Sequence, residues 1–252
     1  MGALHEGHLS LIKKSLLSCD NTVVSIFINP KQFSPNEDFE SYPRKLDADI
    51  SYLENLGVHA LFLPNESLIY PDNFSTYVEE NMLAKGLESN SRPHFFRGVL
   101  TVVLKLFNIV SPHSVFFGKK DYQQFRLVKK MVKDLNLEIS VVGCETIREN
   151  GGLAMSSRNA AFTDKDKERL GIIYDSLSAA KKEVLSGQQD VFFIKNFIEK
   201  KLLCLEEIKI DYIEVTDIQN LVSIEKIQQD SLISLAVFFK KVRLIDNIEI
   251  KI

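Results

Sequence analysis

The 252-residue chain has 31 Lys+Arg against 34 Asp+Glu, a formal charge of −3, and is 45% hydrophobic. That fits one large or two moderate globular domains and offers no broad cationic surface of the kind nucleic acid requires. Its three cysteines (Cys19, Cys144, Cys204) are scattered, without CxxC or Cys/His pairing. With no apolar run of membrane-spanning length and no signal-peptide pattern, they lead us to expect a reducing, cytoplasmic location, no membrane partner and no structural zinc.

In chain order, His5-Glu6-Gly7-His8 form an HxGH turn that reads as a loop entering a helix. A helix start presents free backbone N–H groups and the positive end of a dipole, which suits phosphate. Two imidazoles can donate hydrogen bonds to phosphate oxygens. The motif alone is equally compatible with a solvated N-terminal turn. Residues 23–28 are β-branched and apolar without alternation, as in a strand covered on both faces, and Asn29-Pro30 ends the run. Residues 45–56 have helical spacing in Leu46, Ile50, Leu53 and Leu56, with Gly57 as the stop. A second strand is expected over 58–63, ahead of Pro64.

Residues 65–97 read as irregular and polar, and Gly98 opens an amphipathic helix to Val110. A third strand over 114–118, a helix over 122–135 and a fourth strand over 139–142 follow. Strands alternating with helices at this spacing imply a parallel sheet with right-handed crossovers. After Arg148 the pattern changes. Glu149-Asn150-Gly151-Gly152 is turn-rich; helices are expected over 164–186 and 191–205, and alternating strands over 210–215, 232–239 and 243–250. The expected domains are therefore 1–147, α/β with a Rossmann-like parallel sheet, and 148–252, a smaller C-terminal α+β domain with an antiparallel sheet.

Four polar clusters fall at strand exits or in the interdomain link, where open parallel sheets bind ligands. They are the HxGH turn, Asn29-Pro30-Lys31-Gln32-Phe33, Gly118-Lys119-Lys120-Asp121 with Gln123-Gln124, and Met155-Ser156-Ser157-Arg158-Asn159. Singly, each has an ordinary alternative. Asn29 and Asp121 suit turns and N-caps, Lys119 and Lys120 a solvated pair, and Ser156 and Ser157 a helix cap. His59 and His113 have no context and are assigned to structure.

Together with Phe39-Glu40-Ser41-Tyr42-Pro43-Arg44 and Tyr70-Pro71, the clusters resemble the signature set of the pantothenate synthetase (pantoate–β-alanine ligase) family, along nearly the whole chain. The resemblance implies an HxGH-nucleotidyltransferase-type fold whose C-terminal domain acts as a lid. The implied reaction is ATP- and Mg²⁺-dependent condensation of (R)-pantoate with β-alanine through pantoyl adenylate, in a homodimer formed by the N-terminal domains. It implies an ATP site at Met1, Gly2, Ala3, Leu4, His5, Glu6, Gly7, His8, Gly118, Lys119, Lys120, Asp121, Ile147, Met155, Ser156, Ser157 and Arg158. Catalysis would rest on His8, the proton donor, with His5 and Lys120. Pantoate would meet Gln32 and Gln124 with Asn29 beside them, and β-alanine would meet Gln32. No protein metal ligand is implied.

Three departures stand out. Lys119 replaces the Glu of a GEKD motif. In Arg92-Pro93-His94-Phe95-Phe96-Arg97-Gly98, Phe95 takes the usual histidine position and His94 a variable one. The family also carries a leading βα-length segment before Met1, so a mis-assigned start or truncation is expected, with a catalytically impaired member as the alternative. A different HxGH nucleotidyltransferase is the other rival, and such enzymes lack the Gln32 and Gln124 pair in this context.

Overall fold

The computed structural model describes residues 1–33, 39–40 and 42–252, so Ser41 of the segment quoted above lies outside the described residues. The chain divides into two compact units. The first comprises Met1–Ala84, Glu88–Lys119 and Gln124–Glu145; the second comprises Lys85–Leu87, Lys120–Gln123 and Thr146–Ile252.

In the first unit the order is α1 (Glu6–Ser18), β1 (Val23–Ser25), a 3₁₀ turn at Pro30–Gln32, α2 (Leu46–Asn55), β2 (Ala60–Phe62), α3 (Glu66–Ile69), α4 (Glu88–Ser91), α5 (Phe95–Val110) and β3 (Ser114–Gly118). A 3₁₀ turn at Lys119–Asp121 leads into α6 (Tyr122–Asp134), with Lys120–Gln123 counted in the second unit, and β4 (Ser140–Cys144) closes the series. β1 pairs in parallel with β2, and β3 with β4. The single expected sheet is thus two separate two-stranded ladders among the described residues. The 23–28 run, expected to be covered on both faces, is a strand only at Val23–Ser25, where Val24 is buried but Val23 is exposed and Ser25 half-buried; every residue of β3 is half-buried. A two-stranded ladder leaves each strand an open edge, and side chains there keep access to solvent.

The core beneath the HxGH turn is built from Leu4, Leu9, Ile12, Val24 and Leu53, with Ile26 and Leu61 packed against them. α1 also packs against β3. His59 is structural: its Nδ1 accepts a hydrogen bond from the Thr22 amide at 3.1 Å, at the entry to β1. The 65–97 stretch is not wholly irregular, because α3 and α4 lie in it and α5 starts at Phe95, three residues before Gly98. Asn65 caps α3 through its side chain, which accepts from Leu68 N. α5 gains its first turn because the aromatic ring of Phe96 is buried and begins the apolar face that Val99, Leu100 and Val102 continue.

The second unit holds a 3₁₀ turn at Ser157–Ala161, α7 (Asp164–Leu170), α8 (Ile172–Leu185), α9 (Val191–Leu202), β5 (Ile208–Asp217), β6 (Ser231–Phe239) and β7 (Val242–Ile250). The three strands form one antiparallel sheet in the order β5-β6-β7, with a bulge between Ile210 and Tyr212. α8 packs on β7 and α9 on β5. Their buried stripes, including Ile173, Leu177, Ile194 and Ile198, meet Val215, Ile233, Leu235 and Val237 in one core. Each fully buried aliphatic side chain in this core contributes about 1.5–3 kcal/mol of burial free energy.

The single helix expected over 164–186 is broken at Gly171. A Cβ there would lie 2.0 Å from the Gly151 carbonyl oxygen, so the 149–152 turn abuts the helix at a point only glycine allows.

Candidate active site

His5 is the N-cap of α1, and its Nδ1 accepts a hydrogen bond from Gly7 N at 3.2 Å. That bond leaves Nε2 as the donor nitrogen of the neutral ring. The His5 and His8 ring centroids lie 4.0 Å apart. The helix therefore begins within the motif, at Glu6, and its first amides and both imidazoles share one end of α1. Ahead of it, Gly2 and Ala3 take φ values of +145° and +48°, and the amides of Ala3 and Leu4 bond the buried Asp49 carboxylate.

The second cluster is fixed around Asn29, which is 3% exposed. Its Oδ1 accepts from Tyr70 Oη at 2.8 Å and from Lys31 N at 3.2 Å, and its Nδ2 donates to the Gly98 carbonyl at 3.1 Å. All its hydrogen-bonding directions but one are used within the fold, so Asn29 shapes the Pro30–Gln32 turn. Burial pushes the Tyr70 hydroxyl up to about 12, so it stays a donor at working pH. α5 closes on the same turn: a Cβ on Gly98 would lie 2.2 Å from Lys31 O. Arg92 Nη2 donates to Gln32 O at 2.9 Å and its guanidinium stacks 3.7 Å from the Phe95 ring. Beside this turn lies a cleft of about 190 Å³ lined by Lys31, Tyr77, His94, Arg97 and Gly98. The Arg97 guanidinium lies 4.0 Å from the Tyr77 ring centroid, and its buried Nε has no hydrogen-bond partner among the described residues.

The third cluster sits at the exit of β3. Lys119 Nζ pairs with Glu145 Oε1 at 2.7 Å, which offsets its charge. The Lys120 carbonyl accepts from Asn247 Nδ2 at 2.8 Å, and Lys120 Nζ lies 4.0 Å from Asp121 Oδ1. Gln123 is buried and donates to the Lys85 carbonyl at 3.3 Å, whereas Gln124 is half-buried. Gly143 faces this exit from β4, where a Cβ would meet the Phe125 ring at 2.9 Å.

In the second unit, Ile147 and Met155 are joined by a backbone hydrogen bond across a short hairpin, and Arg148 bridges Ala154. Ser156 caps the 3₁₀ turn by accepting from Arg158 N at 3.3 Å. Buried Asn159 donates from Nδ2 to Glu149 Oε1 and to Ala154 O, both at 3.1 Å. Met155, Ser156, Ser157 and Arg158 are half-buried. The structure thus brings the HxGH turn, the Asn29–Gln32 turn and Gly118 into the first unit, and Lys120, Asp121, Ile147 and Met155–Arg158 into the second.

Sequence reasoning passed over Asp49 and Tyr77, and it named Tyr70 and Arg97 only as members of matched segments, with no role of their own. Asp49 carried a usable signal. It lies three residues after Leu46 and four before Leu53, which puts a carboxylate on the apolar face of its helix.

The Pantoate-beta-alanine ligase family model matches residues 1–249. The chain belongs to the pantoate–β-alanine ligase family. It is 50% identical over 247 residues to the pantothenate synthetase of Thermosipho africanus, covering 98% of this chain and 88% of that protein. It is 47% identical to that of Thermotoga neapolitana over the same shares. Among solved structures, pantothenate synthetase from Thermus thermophilus matches with a TM-score of 0.95 at 37% identity, over 100% of this chain and 91% of that one. A pantoate-beta-alanine ligase from Francisella tularensis, complexed with beta-gamma ATP and beta-alanine, matches with a TM-score of 0.78 at 40% identity, over 98% and 86%. The nucleotidyltransferase fold of this family therefore agrees with the α/β unit and antiparallel C-terminal unit described above. Among the described residues, no helix is long and apolar enough to cross a membrane, and no group of three or more His, Cys, Asp or Glu side chains is arranged to hold a metal ion.

Proposed function

We infer that the chain catalyses ATP-dependent condensation of (R)-pantoate with β-alanine to pantothenate. A pantoate carboxylate oxygen attacks the α-phosphorus and pyrophosphate leaves, giving pantoyl adenylate. The β-alanine amine then attacks the acyl carbon and AMP leaves with the carboxylate oxygen. Magnesium belongs to the substrate in this scheme, carried on the triphosphate.

The observation that carries the inference is the paired His5 and His8 at the start of α1, in a chain that matches the ligase family from residue 1 to 249. Charge spreads over phosphate oxygens in the transition state, so positioning and donors do most of the work. We assign His8, with His5 and Lys120, to the triphosphate, and His8 to proton donation. The first residues of the chain, Gly118–Asp121, Ile147 and Met155–Arg158 hold the nucleotide. Gln32 and Gln124 hold pantoate, since neutral amides can bond hydroxyls and carboxylate without an ion pair that would quench the nucleophile. Asn29 sets the Gln32 turn.

The cleft next to Gln32, with Lys31 and Arg97 as its cations and His94 beside them, suits the β-alanine carboxylate. We also assign domains 1–147 and 148–252, a lid role to the second, a cytoplasmic location, and a homodimer through the first; sedimentation velocity tests the dimer.

Pantoate-dependent exchange of pyrophosphate into ATP, followed by AMP release on adding β-alanine, tests the reaction. Exchange that is indifferent to pantoate would overturn it.

A further inference from the structure

We propose that Asp49 is a positioning residue for adenylate formation: its buried carboxylate holds the backbone that aims His5 and His8. The proposal rests on the ligase reaction inferred above.

Asp49 lies in the first turn of α2 and is 2% exposed. Its two oxygens are divided between two consecutive amides. Oδ2 accepts from Ala3 N at 2.8 Å and Oδ1 from Leu4 N at 2.7 Å, across 46 and 45 residues. Hydrogen bonds to an ionised acceptor at these lengths are the strong kind, and a buried charge is tolerated only when so satisfied.

The segment needs such a hold. Ala3 is left-handed at φ +48°, a conformation that a non-glycine residue keeps only when its surroundings impose it. His5 follows directly after Leu4, extended at φ −142° and ψ 172°, and takes the N-cap of α1. Its ring is fixed by the bond from Gly7 N and by contact with His8. The line of cause runs from the carboxylate to two amides, to the N-cap, to the two imidazoles.

Asp49 does not touch the imidazoles, so it acts through the backbone. The apolar side of α2 meets the same turn through Leu53, which packs in the cluster with Leu4, Leu9 and Ile12. That neighbour separates positioning from mere stability, because Leu53 supports the same helix and the same cluster without bonding the Ala3 and Leu4 amides.

The test compares Asp49→Asn, Asp49→Glu and Leu53→Ala in the full chain, by thermal unfolding and by the two half-reactions. Asp49→Asn sets an NH₂ group against an amide. It is expected to lower kcat for pantoate-dependent pyrophosphate exchange by on the order of tenfold or more, with the KM for β-alanine unchanged. Asp49→Glu keeps the charge but moves the oxygens by a methylene, so it is expected to lower exchange kcat while retaining most of the Tm; it decides the matter if Asp49→Asn does not fold. Leu53→Ala is expected to lower Tm at least as far and leave exchange kcat near wild type below its Tm. Wild-type exchange kcat in the folded Asp49 variants, or a loss that follows Tm equally in all three, would overturn the proposal. Failure of the ligase assignment looks different, since the unaltered chain would then show no pantoate-dependent exchange.

Discussion

Arg148 grips Asp246 in a bidentate ion pair, Nη1 to Oδ2 at 2.6 Å and Nη2 to Oδ1 at 3.0 Å, across 98 residues. The Asp246 side chain is 1% exposed and the Arg148 guanidinium stacks 3.6 Å from the Tyr174 ring. Arg148 Nη1 also donates to the Gly152 carbonyl, so β7 holds the base of the hairpin that presents Met155–Arg158. Asp246→Asn is expected to destabilise the chain by about 3–5 kcal/mol, the range for breaking a pair whose carboxylate is buried, because it leaves the half-buried Arg148 guanidinium partly unpaired. Replacing both residues together by apolar ones of similar volume should cost less than either single change. Denaturant midpoints of the three variants check this.

Gly98→Ala separates local propensity from packing. On an isolated helix, alanine is favoured over glycine by about 1 kcal/mol. Here the added Cβ would press on Lys31 O at 2.2 Å and Lys31 C at 2.7 Å, backbone atoms that can yield only by moving the Gln32 turn. We expect net destabilisation of about 1–3 kcal/mol, the usual range for overpacking, together with a raised KM for pantoate. Steady-state kinetics beside thermal unfolding read both.

Adjacent glutamines should behave differently. Gln124→Ala is expected to raise the KM for pantoate about 2- to 10-fold, the range for one lost hydrogen bond, with ATP use little changed. Gln123 is buried on the Lys85 carbonyl, so Gln123→Ala should lower Tm instead. Equal loss for both ligands in Gln124→Ala would count against the assignment.

Lys31→Ala and Arg97→Ala test the cationic cleft. Each is expected to raise the KM for β-alanine while leaving pantoate-dependent exchange intact, because the amine enters only in the second step. A changed exchange rate with unaltered β-alanine KM would place the cleft elsewhere in the reaction.

Asp166 gives a pH signature. Lys240 Nζ donates to both its oxygens, and Thr163 adds hydroxyl and backbone donors, which together hold the carboxyl at about 2 rather than 3.8. A depressed carboxyl stabilises the fold fully above its unfolded value and loses that contribution as pH falls toward its folded one. The stability difference between wild type and Asp166→Asn should therefore be constant near neutrality and shrink from about pH 4 down to about pH 2. Chemical unfolding across that range measures it. Lys240 and its neighbour Lys241 occupy left-handed turn positions at φ +48° and +68°, so the same pair also secures the β6–β7 hairpin.

Order along the chain was legible wherever side-chain period alone sets it. The spacing of Val128, Met131 and Val132 marked α6, the run at 114–118 matched β3 residue for residue, and the alternation from 210 onward marked the antiparallel sheet. The four polar clusters were legible too, because turn and cap residues declare themselves locally. Contacts between distant segments have no such local signature. The Gly151 turn against Gly171 broke one helix into two; Tyr70 and Gly98 drew Asn29 into the scaffold; Asp49 reached back 45 and 46 residues to the turn before His5. The sequence by itself determined which groups could meet a phosphate or a carboxylate. Only the tertiary structure decided which of them are already spent on the fold, since a buried polar group must find its partner wherever packing brings one within reach.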